Sequence, residues 1–378
     1  MGPFSIFITV SAIILGIVSK KSRLVTYLLL SLLFILITFE YTQLGDGDYY
    51  QYENIYEGIC EGSEWAWISY EPLFVFLLFC CGKLGLSLIG VKCVVAIVSI
   101  SLLYSSIKRY TSYCALPLAL FFIYPVFFDA ELLRWLLAES FIIYGFRFLI
   151  NADSKKDYLL YGLFVFIAAL FHVGSLLFSV FYLVSIKNKR LLAVLIVSIT
   201  LIMVVVRNTT PLYSLLSSLP FGDNLQEKYQ TGFVGTNKML FASVLRYTQV
   251  VLIAFVARYF IKGKINNGAN VALSNISLSL CSKVMAINII TLFFIALGLF
   301  TPQAQRMYHA ILVINYIYLA VRAEQHKYSF IGVLAATAVS LSCLFAGAYL
   351  TSEGALLVFK SHFTVGYLIR MSQMLFGG

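Results

Sequence analysis

Long apolar runs separated by short polar connections make up nearly the whole chain. Apolar residues dominate 3–18, 24–39, 84–107, 114–128, 131–150, 158–186, 191–206, 240–261, 283–300, 307–321 and 328–350. One helical crossing of a bilayer takes about 20 mostly apolar residues. A membrane barrel would alternate every second residue over strands of about ten. Because these runs are continuous, the expected fold is all-α: a polytopic helical membrane protein with about 11–12 transmembrane helices. A single transmembrane domain is expected over residues 1–378, with no internal repeat.

Two segments depart from one run, one crossing. Residues 72–82 are apolar but number only eleven before Lys83, and the run at 84–107 can cross alone. A re-entrant or interfacial helix near 72–86 is therefore expected. The 29-residue stretch 158–186 has basic connections at both ends, Lys155 and Lys156 before it and Lys187, Lys189 and Arg190 after it. It must turn back on itself, and its only polar cluster, Phe171-His172-Val173-Gly174-Ser175, marks the expected break.

Composition agrees with a lipid environment. Hydrophobic residues are 61% and charged residues 12%, against about 25% charged in soluble domains, which excludes both a soluble core and disorder. The net charge of +10 would suggest nucleic acid in a soluble protein. Here Lys and Arg cluster in short connections instead, the positive-inside pattern, and no nucleic-acid partner is expected. The seven cysteines lack metal-ligand spacing. Zinc, haem, Gly-rich phosphate-loop and nucleophile motifs are missing as well, so no metal or cofactor is expected.

Lys20, Lys21 and Arg23 place the first turn in the cytoplasm, with 3–18 read as a retained span. The connection at 40–71 then lies outside; it carries eight acidic residues and no Lys or Arg. A second outer connection is expected at 207–239, and 351–378 is read as lying along the outer interface. Candidate chemistry gathers on that outer side. Glu131, Arg134, Trp135 and Glu139 follow helical spacing and share a stripe. Arg134 there either pairs with Glu131 or faces a cavity and grips an anion, and Trp135 suits an interfacial anchor. Arg246 and Arg306 stand at comparable depth on two other helices. Each Arg could snorkel alone, but three together suit a phosphate, which the planar guanidinium fork binds through parallel hydrogen bonds. His172 is either a histidine hydrogen-bonded within the bundle or a ligand or base, and His309 is expected nearer water, beside Arg306. In the acidic connection, Asp48, Tyr49, Tyr52, Trp67 and Glu71 interleave carboxylates with rings. That mixture suits sugars, because rings stack on apolar sugar faces and carboxylates accept hydroxyl hydrogens.

Four motifs in order carry a resemblance: Asp48 to Tyr52 as Asp-x-x-x-Tyr, Glu71-Pro72 opening a short apolar helix, Arg134 at an outer helix start, and Phe171-His172 before small residues. Together they resemble the EpsG family over about residues 40–190. The family places Gln after that Arg, where this chain has Trp135.

The resemblance implies a Wzy-type O-antigen or exopolysaccharide polymerase of the bacterial inner membrane, acting on its periplasmic face. Its substrate would be undecaprenyl-diphosphate-linked oligosaccharide. Arg134, Arg246 and Arg306 would hold the departing diphosphate. Asp48, Glu71, His172 and His309 are the candidate proton acceptors, in that order, and Tyr49, Tyr52, Trp67 and Glu131 the candidate sugar contacts. Membrane lipid is an implied partner, and a chain-length regulator stays open as another. A flippase or transporter for the same lipid, an O-antigen ligase, and a structural scaffold are the alternatives.

Overall fold

The computed structural model describes residues 3–39, 48–205, 237–259, 271–299, 302–326 and 330–350. Among these the chain is helical, with no β-strand. The expected connection at 207–239 except for its last three residues, the segment 351–378, and Lys262, Lys264 and Lys327 lie outside the described residues. The helices group into two compact units, residues 3–141, 170–172 and 340–350 in one and residues 142–169 and 173–339 in the other.

The first unit begins with α1 (Pro3–Val18) and α2 (Arg23–Phe39). Its acidic connection is itself helical, as α3 (Asp48–Glu61) and α4 (Glu64–Ile68), followed by α5 (Pro72–Lys83) and α6 (Leu88–Tyr110). Helix α3 forms because its apolar positions recur at helical spacing. Tyr52, Ile55, Tyr56 and Ile59 are all buried on the face that packs against α5, while Glu57 and Glu61 point to solvent. Helix α5 occupies the span expected to be a short apolar helix. It ends at Gly85, whose φ of 68° is the left-handed conformation that lets the amide of Leu86 reach back to the Cys81 carbonyl at 3.1 Å. Gly85→Ala is expected to cost about 1–2 kcal/mol in a thermal or denaturant melt, because a Cβ is disfavoured at that φ. Short helices α7 (Ala115–Ile123) and α8 (Val126–Asp129) lead into α9 (Leu133–Ile150), whose first part belongs to this unit.

In the second unit, α10 (Lys155–Phe171) is followed by a 3-10 helix, Val173–Ser185. The break falls at His172, inside the expected cluster. The two arms run antiparallel: the Tyr161 hydroxyl donates to the Phe178 carbonyl and the Tyr182 hydroxyl to the Tyr158 carbonyl, each at 2.8 Å. At 1.5 Å per residue the 17 residues of α10 rise about 25 Å. At 2.0 Å per residue, 13 residues in 3-10 form rise about 26 Å. Stretching the second arm is what lets unequal segments match in length.

Helices α11 (Lys189–Val205), α12 (Asn237–Tyr259), α13 (Val271–Thr291) and α14 (Phe293–Leu297) follow, then a 3-10 turn at Pro302–Arg306, α15 (Met307–Gln325) and α16 (Phe330–Leu350). A buried amide cluster fixes their register. Asn315 donates to the Val250 carbonyl at 2.9 Å and exchanges side-chain hydrogen bonds with Asn288 at 2.9 and 3.0 Å. Arg322 donates to the Ala257 carbonyl at 3.3 Å. Both α12–α15 bonds join residues 65 apart, so these two helices run parallel at constant register. Pairing of Cys281 with Tyr318 and of Asn288 with Asn315 makes α13 antiparallel to them.

Three helical stretches among the described residues are long and apolar enough to cross a membrane: Leu88–Tyr110, Leu240–Tyr259 and Leu280–Leu297, with mean hydropathies of 2.1, 1.8 and 2.1. Other expected crossings meet this test less well for physical reasons. Arg23–Phe39 is short, and α9 carries Arg134, Glu139 and Arg147 within its 18 residues.

Candidate functional site

Glu71 owes its position to Pro72. A residue before proline is driven out of the helical region, and Glu71 adopts φ −63° and ψ 144° while Pro72 starts α5. Its carbonyl closes the first turn of α5 to Phe74 and Val75, but its side chain makes no capping bond there. The carboxylate instead reaches the first turn of α9, where Arg134 Nη1 donates to Glu71 Oε2 at 2.6 Å. The guanidinium carbon lies 3.7 Å from the centroid of the Tyr70 ring. Tyr70 in turn donates to Gln51 Oε1 at 3.4 Å and packs with Tyr52 and Phe74 at 5.8 Å each; Tyr52 and Phe74 lie 5.6 Å apart. Three residues remote in sequence, Tyr52, Glu71 and Arg134, thus share one cluster in the first unit.

The pair is partly open, with side-chain exposures of 24% for Arg134 and 16% for Glu71. Arg134 Nε is buried and has no hydrogen-bond partner among the described residues. Deeper along α9, the carboxyl oxygens of Glu139 and Asp129 lie within 4.8 Å of one another, and both residues are buried. Trp135, expected as an interfacial anchor, is 1% exposed and packs edge-on against His172 with centroids 5.3 Å apart. His172 is therefore a buried ring in a helix break. Glu131 is half-buried in the turn before α9.

Asp48 and Tyr49 stand in the first turn of α3, with side chains outside the described positions. Trp67 faces Phe79 at 5.2 Å, a ring that also carries the Lys83 ammonium at 5.3 Å. Next to it in α3–α5 packing, the Tyr56 hydroxyl donates to the Leu86 carbonyl. Burial, followed by the adjacent Cys60 thiol, pushes the Tyr56 hydroxyl up to about 12, so it stays a protonated donor.

Arg246, Arg306 and His309 belong to the second unit. The α12–α15 register sets Ser243 level with Tyr308 and Arg246 level with Ile311. That puts Arg246 about 3 Å along the axis from His309 and about 8 Å from Arg306. Arg246 lies about two and a half turns into α12, His309 in the first turn of α15 and Arg306 at the end of the 3-10 turn before it, Arg246 and His309 buried and Arg306 half-buried. A Cβ added to Gly298 would overlap the Ser243 hydroxyl, one turn from Arg246.

Gln51 and the face of Tyr70 were not singled out in the sequence as partners of Arg134. Only the Tyr70-Glu71-Pro72 adjacency hinted at them, since a carboxylate and a ring beside one proline-fixed backbone leave the helix end together. No curated protein and no solved structure matches the chain. The EpsG family profile, in contrast, matches residues 23–363, well beyond the stretch holding the four motifs, and the chain belongs to this family of Wzy-like polymerases.

Proposed function

We propose that the protein is a membrane polysaccharide polymerase that joins undecaprenyl-diphosphate-linked oligosaccharide repeats on the periplasmic face of the bacterial inner membrane. Family membership supports polysaccharide polymerisation, and the apolar helices support a membrane setting. The observation that carries the residue roles is the Glu71–Arg134 pair laid on Tyr70. It sets a cation fit for a diphosphate beside a carboxylate fit to take a proton. The basic connections after α1, α6, α9 and the 158–186 hairpin support an orientation with this pair outside, and with about 11–12 crossings in all.

In the proposed reaction, a hydroxyl oxygen on one repeat bonds to the anomeric carbon of the other sugar. The bond from that carbon to the diphosphate breaks, and its electron pair leaves with undecaprenyl diphosphate. Glu71 accepts the hydroxyl proton, and Arg134 stabilises the departing charge. Arg246 and Arg306 are proposed as further diphosphate-binding groups. Tyr49, Tyr52, Trp67 and Glu131 are the proposed sugar contacts, with Asp48, His172 and His309 as the other acceptor candidates. The purified protein, reconstituted in liposomes with lipid-linked repeats, is expected to produce a ladder of chain lengths on a gel. Movement of the lipid across the bilayer without a ladder would identify a flippase and reject this reading.

A further inference from the structure

We propose that Glu71 and Arg134 form an exchange lock, in which a bound diphosphate takes the place of the Glu71 carboxylate on the guanidinium and so frees that carboxylate to accept the hydroxyl proton. The inference rests on the polymerase reading for its substrate. It goes further in making anion binding the event that arms the proton acceptor.

Four observations carry it. Arg134 commits Nη1 to Glu71 at 2.6 Å, yet its Nε is a buried donor with no partner among the described residues. A diphosphate offers several acceptor oxygens and can serve both edges of the fork, where Glu71 serves Nη1. Second, the guanidinium is held on the Tyr70 face at 3.7 Å, and Tyr70 is itself held by Gln51, Tyr52 and Phe74. Arg134 therefore keeps its place when Glu71 departs. Third, the Glu71 side chain has no capping role on α5, and Pro72 fixes its backbone. The start of α5 therefore does not depend on the carboxylate staying on Arg134. Fourth, the pair keeps some contact with solvent, 24% for Arg134 and 16% for Glu71, so an incoming anion can reach the guanidinium, and a more highly charged, bidentate anion can outcompete a single carboxylate there.

Together these make the lock directional. With the site empty, Glu71 Oε2 is occupied by Arg134. Once diphosphate occupies the guanidinium, the same oxygen takes the proton from the attacking hydroxyl, and the leaving lipid diphosphate carries away the electron pair of the broken bond.

The test is isothermal titration of the full-length protein in detergent with farnesyl diphosphate and with inorganic pyrophosphate. Wild type, Glu71→Gln, Glu71→Asp and Arg134→Ala are compared, with thermal melts confirming the fold of each. Glu71→Gln removes the competing charge, and is expected to bind about tenfold more tightly, which is ~1.4 kcal/mol, while losing ladder formation. The shorter Glu71→Asp is expected to bind more tightly as well and to keep part of the activity, so a failure of one variant to fold leaves the other as readout. Arg134→Ala is expected to lose binding. Tightening for farnesyl diphosphate alone assigns the displacement to a lipid-borne headgroup, and tightening for both ligands to diphosphate in general. Unchanged or weaker binding in the folded Glu71 variants would overturn the lock and leave Glu71 as a support that orients Arg134. Tighter binding in the Glu71 variants when the wild-type protein itself makes no ladder would preserve the exchange and reject the polymerase reading.

Discussion

Arg134→Ala is expected to abolish polymerisation, lowering ladder formation by about 100-fold or more, the scale seen when one preorganised charge-stabilising donor is removed from an active site. The substitution takes away the cation of the pair with Glu71 and the group stacked on Tyr70. Arg134→Lys is expected to fail nearly as badly, because an ammonium neither stacks as a plane nor donates through a fork. The measurement is single-turnover chain extension in liposomes, with a melt as control. A folded Arg134→Ala protein with wild-type ladders would refute the assignment of this residue. Glu71→Gln should also stop turnover, but with the opposite effect on diphosphate binding, which separates the two roles.

Asn315→Leu is expected to lower the stability of the second unit by about 2–4 kcal/mol in a thermal or denaturant melt. Asn315 is fully buried where α12, α13 and α15 meet, and its amide satisfies the Val250 carbonyl and both functions of Asn288. Leucine removes three hydrogen bonds at once and leaves a buried Asn288 amide without that partner. The double variant Asn288→Leu with Asn315→Leu is expected to recover part of the loss, because two apolar side chains leave less unmet polarity than one orphaned amide. Equal loss in the single and double variants would mean that packing volume, not the amide pair, holds the three helices in register. Since Arg246 and His309 stand on two of these helices, the single variant is also expected to slow polymerisation through their displacement.

Much of this was legible before any coordinates. The short helix at Pro72 follows from eleven apolar residues bounded by proline and Lys83, and the structure places α5 there. The break at His172 follows from charge parity at the ends of 158–186. What parity could not supply is the 3-10 geometry of Val173–Ser185, since an apolar run constrains burial and not the residues per turn. The acidic segment was legible as a sugar-suited connection, but its folding into α3 and α4 depends on Tyr52, Ile55, Tyr56 and Ile59 finding a partner face on α5. Arg134 stood out because a charge at the edge of hydrocarbon needs a reason. Its partner did not: the nearby Glu131 was the local candidate, while Glu71 lies 63 residues away.

By itself, the sequence determined an all-helical chain suited to a membrane, the ends of most helices, and the family, because apolar run length, proline, and charge placement act locally along the chain. Only the tertiary structure decided that Glu71 meets Arg134 on the face of Tyr70, that Trp135 covers His172, and that Asn315 ties α12 to α13. Those choices depend on which helix faces approach each other, and a contact between remote residues leaves no period or spacing in the chain to read.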